Sequence, residues 1–279
     1  MKAVSVDPNT EATDLERRFS GVLKLYGTQA FQRFQQAHIA VIGLGGVGSW
    51  VVEALARSAI GELTLIDLDN IAESNVNRQI HAMSGEFGRA KVEAMAERVR
   101  LINPACTLHM IEDFVTQDNL TEILNKSISY VFDCIDNFRT KAAMVAYCRR
   151  NKIKIVTVGG AGGLTDPQRI RVADLSRTEQ DSLLARTRKL LRADYSFPRN
   201  LKRRFEVPCV YSDEQVRYLG ADGQPCFQNP ETQSASGLNC ASGLGSSAAV
   251  TASFGLAATA YVLNKIASAT AEHVDENQA

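Results

Sequence analysis

Apolar residues follow two rhythms along the first 160 positions. HIAVIG (38–43), ELTLID (62–67), CTLHMI (106–111), SYVFDC (129–134) and KIVTVGG (154–160) are strand-length runs bounded by turn residues. Between them SWVVEALARSAI (49–60), RAKVEAMAERVRLI (89–102) and RTKAAMVAYCRRN (139–151) place apolar side chains at helical spacing. Alternating strands and helices predict an α/β fold with a mainly parallel sheet covered on both faces and right-handed crossovers. The rhythm blurs after Thr165, where RIRVADL (169–175) is a candidate for one more strand. No repeat, low-complexity tract or linker breaks the chain. A single domain over 1–279 is expected, with an irregular excursion near 176–240.

The stretch from Leu238 to Leu263 is apolar and rich in Gly, Ala, Ser and Thr. It is long enough to raise a membrane span, but its small residues and Asn239 favour a closely packed buried helix. Membrane contact stays open at this point.

Composition narrows the function classes. With 31 basic and 31 acidic side chains, no global field draws the protein to nucleic acid or membrane, so any such attraction is local. Cys106, Cys134, Cys148, Cys209, Cys226 and Cys240 are scattered without a CxxC pair, which argues against structural zinc of that type. The first residues lack a basic-then-apolar leader pattern, and a reducing, cytoplasmic setting is expected.

Gly43-Leu44-Gly45-Gly46-Val47-Gly48 is a GxGxxG segment between a predicted strand and a predicted helix. Such glycines let backbone N–H groups approach a phosphate at a helix N-terminus, and Asp67 stands where a carboxylate can accept ribose hydroxyls. By itself the fingerprint suits NAD, and an oxidoreductase is the first rival. SNVNRQ (74–79) points elsewhere, because a guanidinium and several amides beside the phosphates suit a triphosphate better than a nicotinamide slot. Arg78 can grip phosphate oxygens, Lys91 adds a charge at the next helix, and Asp136 in DCIDN can hold the Mg²⁺ that accompanies ATP. Asp133 is read as structural, inside its strand.

GLGGVGS, DLDN, SNVNRQ, Lys91 and DCIDN, in this order and spacing, resemble the adenylating enzymes of the E1-like (ubiquitin-activating) superfamily. The resemblance implies a Rossmann-like doubly wound adenylation domain that activates a carboxylate with ATP. It also implies that Gly43, Gly45, Gly46, Gly48, Asp67, Asp69, Ser74, Asn75, Asn77, Arg78, Lys91, Asp136 and Asn137 surround the nucleotide and its metal. Arg17-Arg18 is similar to the arginine that dimers of this family lend to the partner's phosphates.

RRFSGVLKLYG, SNVNRQIHA, INPAC, AYCRRNKIKIVTVGGAGG and NCASGLGSSAAVTASFG resemble one branch, the bacterial tRNA threonylcarbamoyladenosine dehydratases. That branch implies ATP-driven cyclisation of the N6-threonylcarbamoyl group on adenosine 37, an anticodon-loop substrate and a homodimer. Rivals are an activator of a ubiquitin-like sulfur carrier and a nucleotide-binding partner of a cysteine desulfurase or other sulfur-transfer enzyme. The paired CxxC motifs of sulfur-carrier activators are absent, and Cys240 in NCASG is the thiol to test.

Residues 186–204 hold eight basic side chains against one acid, a local excess suited to a tRNA backbone. Arg188, Lys189, Lys202 and Arg203 are the expected phosphate contacts, with Tyr195 and Phe197 placed to stack on an unpaired base. GGAGG (159–163) is expected either to let substrate approach the backbone or to be a plain loop.

Overall fold

A computed structural model describes residues 14–228 and 244–269. Two helices lead in, α1 (Leu15–Tyr26) and α2 (Thr28–Gln36), separated by Gly27 at φ 81°. Asp14 caps the first, accepting from Arg17 N at 2.9 Å. Then come β1 (His38–Ile42), α3 (Gly48–Ala56), β2 (Glu62–Ile66), α4 (Lys91–Ile102), β3 (Thr107–Ile111) and the single-turn α5 (Leu120–Ile123). β4 (Tyr130–Asp133), α6 (Phe138–Arg150), β5 (Ile155–Val158), β6 (Ile170–Asp174), α7 (Ser182–Asp194) and β7 (Pro208–Ser212) follow. A small hairpin, β8 (Tyr218–Leu219) with β9 (Pro225–Cys226), precedes α8 (Ala248–Ala267).

Among the described residues, seven strands form one sheet in the order β3-β2-β1-β4-β5-β7-β6, all parallel except β6, which runs antiparallel to β7. β1 and β4 are buried on both faces, hence their unbroken apolar runs, whereas edge strand β3 is largely exposed. One face is covered by α2, α3, α4 and α8 through Phe34, Val51, Leu55, Met95, Phe254 and Val262. The other is covered by α6 and α7 through Met144, Val145, Leu184 and Leu191. The mainly parallel α/β architecture is the one expected.

One expectation needs correction. The excursion near 176–240 is not irregular throughout: it contains the 13-residue α7, capped by Asp181, and the buried strand β7, inserted between β5 and β6. The pattern of α7 hid it, because its basic face masks a buried stripe of Leu184, Thr187 and Leu191 that is broken by a hydroxyl. Tyr195 and Phe197, expected as base-stacking rings, are both partly buried. Both pack against the second core, and the Phe197 ring meets Phe205 edge-on at 4.9 Å.

The apolar C-terminal segment forms α8 from Ala248, and no described helix is long and apolar enough to cross a membrane. Its small residues serve packing. A Cβ on Gly255 would come within 2.8 Å of Val47 O and 3.0 Å of Trp50 Cβ, so only glycine lets α8 lie this close to α3.

Candidate nucleotide site

The strand order reverses between β1 and β4, and a parallel sheet gathers ligands beyond the carboxyl ends of its strands at such a point. Here a cavity of about 1300 Å³ opens. It is larger than most small-molecule sites, which hold roughly 300–1,000 Å³.

The glycine loop forms its floor. Gly43 leaves β1 at φ 86°, and a Cβ on Gly48 would collide with the Gly43 carbonyl, so the loop closes only with glycine at both places. α3 starts at Gly48, where Ser49, Trp50 and Val51 already donate their N–H groups to Gly45 O and Val47 O; the N–H groups of Gly45, Gly46 and Val47, which line the cavity, have no partner among the described residues. Asp67 fixes this loop from the end of β2: Oδ2 accepts from Leu44 N at 2.6 Å and Oδ1 from Asp69 N at 2.8 Å. The ribose-binding carboxylate expected from the sequence therefore also clamps the turn.

Two cations face the floor. Lys91 opens α4, is buried, and lies 2.8 Å from Asp69 Oδ2 and 3.9 Å from Asp67 Oδ1. Arg78 lies against Gly46, whose added Cβ would sit 3.3 Å from Arg78 Cγ. Its Nη1 donates to Ser74 O at 2.7 Å and Asn77 Oδ1 at 3.0 Å, which orients the guanidinium. Trp50 Nε1 donates to Arg78 O at 3.0 Å and fixes the backbone.

The polar cluster 74–79 is thus partly scaffold. Asn75 Oδ1 accepts from Ala72 N at 3.0 Å, holding a 3₁₀ turn, and Asn77 Nδ2 donates to Ser246 O at 2.8 Å, joining the cluster to the segment before α8. Asn137 likewise is occupied: it caps α6, accepting from Arg139 N at 2.9 Å and Thr140 N at 3.3 Å. Asp136 beside it is exposed on the cavity wall, with no hydrogen bond or ion pair among the described residues.

All the glycine-loop, Asp67–Asp69, 74–79, Lys91 and 136–137 positions named from the sequence line this cavity except Gly48, which closes the loop beneath it. Arg17 and Arg18 do not. Arg18 Nη1 donates to Leu101 O at 3.1 Å and Ile102 O at 2.8 Å, capping the end of α4 in its own chain, while the exposed Arg17 side chain has no such tie among the described residues.

Asp181 and Thr251 also line the cavity and lack a sequence signal, whereas GGAGG (159–163) stands out in the chain. Asp181 caps α7 through Leu184 N and also accepts from Gly160 N at 2.8 Å, closing the far wall. Burial raises its carboxyl above the usual range against those hydrogen bonds. Gly160, Gly162 and Ala161 bring the 159–163 backbone into the same wall. Thr251 Oγ1 reaches Arg78 O at 3.5 Å from α8, a contact 173 positions apart in sequence.

Among the cysteines, burial pushes Cys106, Cys134 and Cys148 up to about 12 and Cys209 well up, so these stay thiols. Cys240 lies outside the described residues. In the basic stretch, Lys189, Lys202 and Arg203 are exposed. Arg188 is not a surface charge: it is half-buried, hydrogen-bonded to Thr178 Oγ1, and burial lowers its pKa.

A model of the ThiF family matches residues 18–274. The chain belongs to the ThiF family. It is 51% identical over 251 residues to a tRNA threonylcarbamoyladenosine dehydratase of Haemophilus influenzae, covering 90% of this chain and 94% of that protein. The Escherichia coli dehydratase is 48% identical over 250 residues, 90% of this chain and 93% of its own. A structure of the E. coli tRNA N6-threonylcarbamoyladenosine dehydratase, TcdA, in complex with ATP aligns with a TM-score of 0.80 at 45% identity, over 91% of this chain and 96% of that one.

Proposed function

We infer that this chain is an ATP-dependent tRNA threonylcarbamoyladenosine dehydratase, an adenylate-forming enzyme of the E1-like type. The observation that carries the reading is the switch-point cavity, where Arg78, Lys91 and the glycine loop converge in a chain that matches dehydratases along nearly its whole length.

The chemistry asks for a good leaving group on a carboxylate. The threonyl carboxylate attacks the α-phosphorus of ATP, one P–O bond forms, and pyrophosphate departs. A nucleophile within the modification then attacks the acyl carbon, and AMP leaves with the former carboxylate oxygen. The nucleoside has lost one water overall. Because the attack is intramolecular, proximity supplies much of the rate and no protein nucleophile is needed, in keeping with buried, protonated cysteines.

The protein's work is positioning and charge. The glycine loop ahead of α3 offers the N–H groups of Gly45, Gly46 and Val47 to phosphate oxygens. Arg78, already oriented by Ser74 O and Asn77 Oδ1, answers the charge that grows on the departing pyrophosphate. Lys91 is balanced by Asp69 until the anionic nucleotide arrives.

Asp136 fits a Mg²⁺ ion: it is a hard oxygen donor, exposed to the cavity and without a protein partner among the described residues. Bound there, the ion would offset charge on the polyphosphate. We also propose a homodimer in which Arg17, the untied member of the pair, reaches the other subunit's phosphates. The tRNA backbone is proposed to run along Lys189, Lys202 and Arg203, and the setting is taken as cytoplasmic.

The deciding experiment is mass spectrometry of nucleosides from threonylcarbamoyl-modified tRNA incubated with the protein and Mg·ATP. The expected outcome is ATP-dependent loss of one water from the modified adenosine. An unchanged nucleoside mass overturns the reading.

A further inference from the structure

Three side chains outside the nucleotide cavity point at one another across adjacent strands. His38 opens β1, Glu62 opens β2 in register with it, and His109 lies in β3, in register with Thr64. Parallel strands in register place His38, Glu62, Thr64 and His109 on one face of the sheet. His109 Nε2 is 2.7 Å from Glu62 Oε1, His38 Nδ1 is 3.6 Å from the same oxygen, and the two rings are 5.6 Å apart. One ligand atom from each of the three lies within 4.8 Å of the others.

We propose that His38, Glu62 and His109 form a zinc-binding site with an open fourth position, at the end of the sheet opposite the nucleotide cavity. Two imidazoles and one carboxylate are a donor set that Zn²⁺ accepts in tetrahedral geometry. Bonds of about 2.0–2.2 Å require ligand atoms about 3.4 Å apart, so the observed spacings need only a small swing of His109, which is exposed.

The surroundings of the buried ligand support the assignment. His38 Nε2 lies 2.7 Å from the buried Thr64 Oγ1. Donation of Nε2–H to that hydroxyl leaves the Nδ1 lone pair directed at the Glu62 side, the arrangement in which an outer partner fixes the tautomer of a metal-bound histidine. The other neighbour of Nδ1, Ser127 Oγ at 3.3 Å, already donates to Asn125 Oδ1 at 2.5 Å, so its proton is committed elsewhere. The fourth position faces solvent between half-exposed Glu62 and His109, open to water or an external ligand. No short ligand spacing marks this set in the chain, because its members stand 24 and 47 residues apart and meet only through strand pairing.

The test is titration of the metal-stripped full chain with ZnCl₂ against a chelating indicator, comparing wild type with His109→Ala and Glu62→Gln. One zinc per chain is expected in the wild type, with affinity at least ten-fold weaker in each variant. Circular dichroism checks the fold of both variants, whose altered side chains lie at the surface. As a second reading, Co²⁺ should give the visible absorption of a tetrahedral centre in the wild type and lose it in His109→Ala. No stoichiometric zinc in the wild type, or a loss of less than ten-fold in either variant, overturns the site.

Discussion

Lys141 and Asp133 form an ion pair sealed from solvent: Nζ lies 2.8 Å from Oδ1, and neither side chain is exposed at all. Thr157 Oγ1 completes the group, donating to Asp133 Oδ2 at 2.5 Å and receiving Lys141 Nζ at 3.1 Å. Asp133 ends β4, so this buried triad fixes the strand from which Cys134–Asn137 enters the cavity. Removing one partner strands a buried charge. Lys141→Met should therefore lose about 3–5 kcal/mol in urea unfolding, whereas Asp133→Leu combined with Lys141→Met should recover much of that loss. A double variant no more stable than the single one would refute this account.

Arg78 owes its aim to two acceptors, Ser74 O and Asn77 Oδ1. Arg78→Ala should lower kcat/KM for tRNA dehydration by about 10²- to 10³-fold, the usual cost of removing one donor to developing charge. Arg78→Lys should restore little, since a point charge cannot reproduce the fork. Lys91→Met should chiefly weaken ATP binding, because it leaves Asp67 and Asp69 facing the phosphates without a counter-charge. Steady-state kinetics and ATP titration separate the two effects.

His81 sets a pH dependence of stability. It is buried, both ring nitrogens lack a partner among the described residues, and burial, then the charges of Lys91 and Arg98, lower its pKa to about 4. Between about pH 6.5 and 4 the unfolded chain binds a proton that the folded chain refuses, so stability falls as pH falls through that window. The loss attributable to this residue should approach about 3 kcal/mol by pH 4. Denaturation of His81→Gln across the same range should show a shallower decline; an identical slope would absolve His81 of the effect.

The exposed cations of the basic stretch give a salt-dependence test. Replacing Lys189, Lys202 and Arg203 with Ala should weaken tRNA binding and flatten its log–log salt slope by about 0.7–0.9 for each phosphate no longer neutralised, with ATP affinity unchanged. Arg188→Ala should behave differently, costing stability because its stem no longer packs and Thr178 Oγ1 no longer has its donor. Unaltered tRNA affinity in the triple variant would move the docking surface elsewhere.

The sequence by itself determined the alternation of strands and helices, the glycine turn at 43–48 and the cations at 78 and 91. These are local matters: buried parallel strands demand unbroken apolar runs, and a phosphate turn admits only glycine where a Cβ would collide. It left α7 hidden under its charges and could not separate Arg188 from Lys189, because burial depends on what packs against a helix from elsewhere in the chain. Only the tertiary structure decided which polar groups of 74–79 and 136–137 are already spent as caps, that Asp181 closes the cavity, and that two histidines converge on Glu62. Each of those outcomes rests on strand order and on contacts between distant positions, which no local pattern encodes.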